Sequence, residues 1–162
     1  MKKDLIIKII LWIIVIAVAV FIFCFSAQDA TESNETSGGF LRMVFGIFPG
    51  FHGLSEAAQA KMIEDFMTVA RKCAHFCIYA MLGFWLQFLA RQYTAKFVVL
   101  ISTAAAFIYA ITDELHQYFV PGRSCQLKDV CIDTAGALFG ALISLLLVVI
   151  WQFLRKTLAK KK

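Results

Sequence analysis

Charge is what this chain has least of. Asp, Glu, Lys and Arg make up only 17% of its 162 residues, against about 25% in an ordinary soluble domain. Hydrophobic residues reach 60%, and mean hydropathy is +0.76. The apolar surplus falls in four long blocks, which means lipid rather than a water-facing core. Cysteine motifs are missing as well. The five cysteines include no Cys-x-x-Cys, and their odd number leaves no simple disulfide framework. Cys24 lies in the first apolar block, Cys73 and Cys77 are one helical turn apart, and Cys125 and Cys131 flank the start of the last block. They read as small apolar packing residues; a disulfide through Cys125 requires an oxidising outer compartment. There is no His-Glu-x-x-His for a hydrolytic metal, and no Lys-x6-Arg-Pro or Pro-Ser-Gly-His of known membrane phosphatases. His75, His116, Asp113 and Glu114 are the right atom types for a hydrolytic metal, but without that spacing no metal and no cofactor is expected.

The net charge of +5 and pI near 9.0 could suggest nucleic acid. The basic residues sit at segment ends, however, with clusters at Lys2–Lys3 and Lys160–Lys162. There they serve as headgroup anchors, so membrane lipids are expected partners and nucleic acid is not.

The apolar runs are residues 9–25, 76–90, 97–111 and 132–154. A cleaved signal peptide would have an apolar core of about 7–15 residues and a small-x-small cleavage site. The first run is longer, and Phe25 occupies the −3 position for a cut after Ala27, so it reads as an uncleaved anchor. Residues 91–96 form a short connection, making the second and third runs a hairpin. With the N-terminus inside, the cytoplasmic segments hold ten cations against one acid, and the outer segments six cations against ten acids. The positive-inside rule then places both termini in the cytoplasm. The expected fold is all-α: a single multi-pass membrane domain over residues 1–162, with spans near 6–25, 71–90, 97–116 and 132–154.

Residues 26–70 form the first outer loop. Its hydroxyl-rich, acidic first part (26–39) reads as a solvated loop broken at Gly38-Gly39, or alternatively as a polar lid. Residues 40–51 are apolar except for Arg42 and too short to span; they read as an interfacial or re-entrant piece ended by Pro49-Gly50. Ser55 can cap a helix running from Glu56 into the second span. On that helix Met62, Phe66, Val69 and Cys73 fall on one side, and Lys61, Glu64, Thr68, Arg71, His75 and Tyr79 on the other.

A span needs about 20 helical residues, and the second and third runs supply only fifteen each. The charged hairpin bars their extension inward. Extending them outward draws Arg71 and His75 into the second span, and Asp113, Glu114 and His116 into the third. Charges placed there survive by facing the bundle and pairing. Arg71, His75 and Tyr79 share one face; Tyr109, Asp113, His116 and Gln117 share another, with Glu114 turned aside. Asp129, Asp133, Gly136 and Gly140 share a third. Arg123 hangs on the Pro121-Gly122 turn above them. Gly136-x-x-x-Gly140 itself reads as close helix packing.

Five of these pieces, in this order, resemble the VanZ-like family of bacterial membrane proteins. They are Phe25-Ser-Ala-Gln28, Arg71-Lys-Cys-Ala-His75-Phe-Cys-Ile-Tyr79, Thr112-Asp-Glu114-x-x-Gln117, Pro121-Gly-Arg123-Ser124, and Asp129-Val-Cys-Ile-Asp133-Thr-Ala-Gly136 with Gly140. Many members carry Asn where this chain has Asp133, and His116 falls outside the pattern. The resemblance implies a place at the cell envelope and a link to resistance against teicoplanin, a glycopeptide whose target is cell-wall precursor on the outer surface.

The ligand-binding candidates are Arg71, His75, Tyr79, Asp113, Glu114, Gln117, Arg123, Asp129 and Asp133. Two arginines can grip a phosphate or carboxylate bidentately. His75, oriented by Asp113 or Glu114, is the candidate acid or base, and a lipid-linked wall precursor suits that chemistry. Whether a bond is broken is left open. The competing reading is a non-enzymatic accessory protein, in which the charges only pin three helices by ion pairing. A homo-oligomer is compatible with either.

Overall fold

The computed structural model describes residues 2–159; the basic cluster Lys160–Lys162 lies outside the described residues. The described residues form six helices: α1 (Lys2–Ser26), α2 (Ala30–Phe45), α3 (Pro49–His52), α4 (Glu56–Ala90), α5 (Val98–Tyr118) and α6 (Leu127–Ala159). Of these α1, α4, α5 and α6 are long and apolar enough to cross a bilayer.

Helix α1 is apolar all round, yet it buries only the stripe Leu11, Val15, Val18, Ile22 and Ser26. Those positions recur every three or four residues, the helical period. The remaining faces of the helix present Ile and Phe outward, as a lipid-facing helix does. Its start is fastened to the 91–97 hairpin: Trp12 donates to the Tyr93 hydroxyl at 2.9 Å, and Lys8 lies over the Tyr93 ring.

Helix α4 packs on α1, α2, α5 and α6 and is the centre of the bundle. Its seam with α6 is built from small residues. A Cβ on Gly83 would run into the backbone of Ala137, one on Gly136 into that of Phe76, and one on Gly140 into that of Ala80. The two backbones touch, which is how helices gain van der Waals contact where lipid removes the hydrophobic drive to associate. The glycine pair expected to serve packing does so against α4, with Gly83 answering from the other side. A buried polar bond crosses the same seam: Ser144 donates to Gln87 Oε1 at 2.7 Å.

Two local expectations are corrected. The polar stretch 26–39 is not a loop: α2 begins at Ala30, with Asp29 as N-cap accepting from the Glu32 amide at 2.9 Å, and Gly38-Gly39 lie mid-helix. Ser, Asn and Gly have weak helix preference alone; tertiary packing supplies the stability, as it does for most short helices. Leu41 packs with Phe51 and Ile63, flanked by Phe45, Met67 and Ala70. Second, Pro49-Gly50 opens a helix, with Pro49 at the start of α3, where its missing N–H costs nothing. On the outer part of α4 Ile63 is buried, and Met62, Phe66 and Val69 are exposed. Ser55 does cap α4, accepting from Ala58 N at 3.4 Å. The cysteines are all free and all exposed, so they are not packing residues.

Candidate functional site

At the end of the bundle opposite the hairpin, α1 finishes, α5 finishes and α6 begins. The charged and polar side chains discussed below come from these ends, from α2, from α4, or from the 119–126 connection.

Asp113 on α5 is 4% exposed. Its Oδ2 accepts from Ser26 Oγ at 2.9 Å, Tyr79 OH at 3.2 Å and Gln117 Nε2 at 3.3 Å. Its Oδ1 has no hydrogen-bond partner. Asp133 on α6 is 0% exposed, and neither of its oxygens is hydrogen-bonded. Its nearest ionisable neighbour is His75, whose Nδ1 stands 3.4 Å from Oδ1 and is also without a hydrogen bond. His75, Asp113 and Asp133 each bring one ligand-type atom within 4.8 Å of the others. A buried carboxylate costs several kcal/mol unless compensated, so this trio is the least self-sufficient part of the protein.

Glu114, 1% exposed, turns the other way. Its Oε2 accepts the Gln126 backbone N–H at 2.9 Å, holding the residue just before α6. Asp129 pairs with Lys72 at 2.5 Å, joining α6 to α4. Arg71 donates to Asn34 Oδ1 of α2 at 2.6 Å, and Arg123 Nε donates to the Gln28 carbonyl at 3.2 Å. The connection carrying Arg123 is itself latched to α2: Ala30 N donates to the Pro121 carbonyl at 3.3 Å. Gly122 there has φ +73°, and a Cβ on it would meet that of Ala30, so the turn needs glycine.

Neither guanidinium has a carboxylate oxygen within salt-bridge distance among the described residues; both rest on neutral acceptors. Burial, and then the charge of Arg71, hold the Arg123 guanidinium below its ordinary pKa. Two partly desolvated cations that repel each other form an anion-receptive pair.

Two cavities flank this pair. One, of about 470 Å³, is largely apolar and lies between α1, α2 and α4, with Phe21, Phe25, Phe40 and Ile78 on its walls. The other, of about 240 Å³, is polar and includes Thr68, Lys72, Gln117, Asp129 and Asp133. Arg71, His75 and Arg123 line both.

The expected candidates therefore divide. Arg71, His75, Gln117, Arg123, Asp129 and Asp133 border the polar cavity. Tyr79 and Asp113 lie behind them, bonded to each other. Glu114 supports the loop and does not orient His75, because its position on α5 faces the start of α6; the acid beside His75 is Asp133. In the competing reading the charges pair with one another; among the described residues neither Arg71 nor Arg123 pairs with a carboxylate, and the pairs that join α4 to α6 are Lys72–Asp129 and His75–Asp133. His116 stacks on Phe23 with ring centroids 4.6 Å apart, outside both cavities. Sequence reasoning missed Gln28, Asn34, Lys72 and Gln126 as partners, and left Ser26 as motif rather than site. Ser26 and Gln28 had a signal, since both stand in the short motif ending the first span.

A bundle of four helices long and apolar enough to cross a bilayer, with ionisable groups gathered at one end, defines a multi-pass membrane protein. The VanZ/LLP1 family model matches residues 11–149, and the chain belongs to that family. No curated protein and no solved structure matches it.

Proposed function

We propose that this protein binds an anionic amphiphile of the cell envelope, of the lipid-linked wall-precursor kind, at the outer face of the membrane. The carrying observation is that the apolar and polar cavities share Arg71, His75 and Arg123. A lipid whose acyl or isoprenoid chain lies against Phe21, Phe25 and Phe40 brings its phosphate to the two guanidiniums. Headgroup sugar or peptide then extends into the polar cavity. The outward orientation is supported by the distribution of Lys and Arg among the connections. His75 stands where the two cavities meet and can exchange a proton with a bound headgroup. A role in tolerance to a glycopeptide such as teicoplanin follows if the captured lipid is the drug's target.

Native mass spectrometry of detergent-purified protein tests this, with phosphate-bearing lipids expected on the wild type and lost from Arg123→Ala. Equal lipid retention by the variant would refute it. A second reading, in which the protein is a non-enzymatic accessory and the cluster only fastens helices, is favoured by the Lys72–Asp129 pair. On that reading, charge reversal across the pair preserves function.

A further inference from the structure

Binding of an anion by the two arginines leaves unexplained the buried trio beneath them. Four polar atoms there lack hydrogen bonds: His75 Nδ1, Asp113 Oδ1 and both oxygens of Asp133. Buried polar groups in folded proteins are almost always satisfied, and an exception on a fully buried carboxylate calls for a counter-charge. His75 supplies it only when protonated, and then from 3.4 Å without a hydrogen bond; the protein's permanent cations do not. Lys72 is engaged by Asp129, Arg71 by Asn34 and Arg123 by the Gln28 carbonyl.

We propose that His75, Asp113 and Asp133 hold a divalent transition-metal cation, Zn²⁺ or Mn²⁺ in type. The donor set of one imidazole nitrogen and two carboxylate oxygens suits these ions. The separation of His75 Nδ1 from Asp133 Oδ1, 3.4 Å, is long for a hydrogen bond. It matches the edge of a tetrahedron whose metal–ligand bonds are about 2.0–2.1 Å, which is roughly 3.3–3.4 Å. All three ligand atoms lie within 4.8 Å of one another, so small side-chain adjustments bring the third into the shell.

The surroundings are those of a ligand set held in place. Ser26, Tyr79 and Gln117 all donate to Asp113 Oδ2, which fixes the carboxylate and leaves Oδ1 free to coordinate. Such outer partners orient metal ligands and tune affinity. His75 and Asp133 border the polar cavity, giving the ion an access route and an open coordination position. That position lies on the side of Arg71 and Arg123, where a bound phosphate would be polarised by the ion. The sequence hid this set because its members come from three helices without any ligand spacing in the chain. Of the four residues with suitable atom types, His75 and Asp113 take part, whereas His116 stacks on Phe23 and Glu114 accepts from the Gln126 backbone.

The test uses tag-free full-length protein in detergent, stripped with a chelator and supplied with Zn²⁺, Mn²⁺ or Mg²⁺ alone. Elemental analysis after desalting should find stoichiometric Zn²⁺ or Mn²⁺ on the wild type and on His116→Ala. Asp133→Asn and His75→Ala should lose at least tenfold in affinity. Thermal unfolding adds a readout that misfolding cannot imitate. Metal should raise the wild-type midpoint but not that of Asp133→Asn, and metal-free Asp133→Asn should be at least as stable as metal-free wild type, since it removes an unpaired buried charge. No retained metal on monodisperse wild type, or equal retention by Asp133→Asn, would overturn the proposal. Because no lipid is added, that failure would leave the lipid-binding reading standing.

Discussion

Ser26, the last residue of α1, donates its hydroxyl to Asp113 of α5 across 2.9 Å. The first span therefore ends inside the polar cluster and is part of it, not merely an anchor for the rest. Ser26→Ala removes one of three donors to Asp113 Oδ2. Interhelical hydrogen bonds in membranes are worth about 0.6 kcal/mol on average and up to about 1.7. Thermal unfolding in detergent should show a midpoint lower by about 2–4 °C. An unchanged midpoint would mean that the bond contributes nothing to the fold.

The α4–α6 seam should tolerate no side chain at Gly140. A Cβ there meets the backbone of Ala80, which cannot rotate away as a flexible side chain can. Overpacking costs about 1–3 kcal/mol even where side chains can yield, so Gly140→Val should lie at or beyond the top of that range. Size-exclusion chromatography should then show loss of the monodisperse species.

Gly39 offers the opposite case. It sits inside α2 with nothing within 4 Å of an added Cβ. Gly39→Ala should stabilise the protein by about 0.5–1 kcal/mol, the usual helix-interior gain, and leave circular dichroism unchanged or slightly more helical. Destabilisation would contradict the helical assignment of this polar segment.

The Lys72–Asp129 pair is partly exposed, at 36% and 26% of the two side chains, so its worth is about 0.2–1 kcal/mol. A double-mutant cycle with alanine at both positions should give a coupling in that range. Exchange of the two charges, Lys72→Asp with Asp129→Lys, separates the two functional readings. If the pair only fastens helices, lipid retention and any glycopeptide phenotype survive the exchange. If the cavity selects an anion, both should fall.

Orientation is open to direct measurement. Cys125 is exposed in the connection between α5 and α6. In a background with the other four cysteines replaced, Cys125 should react with a membrane-impermeant maleimide added to intact cells. A cysteine introduced as Lys96→Cys, in the hairpin, should react only after permeabilisation. The reverse pattern would invert the topology and remove the site from the envelope side.

The chain alone determined the four spans, the hairpin at 91–96, the glycine seam on α6, and the faces on which Arg71, His75, Tyr79, Asp113 and Asp133 lie. Those features follow from composition and from the 3.6-residue helical period, both of which are local. Which face meets which was decided only in three dimensions. His75 lies against Asp133 rather than Glu114, Arg71 against Asn34 rather than a carboxylate, and Ser26 against Asp113, because helix rotation depends on small-residue packing between distant segments. The helix α2 was hidden for a related reason: its Ser, Asn and Gly residues carry little helix preference, and it is packing on α4 through Leu41, Ile63 and Met67 that outweighs the entropy of ordering them.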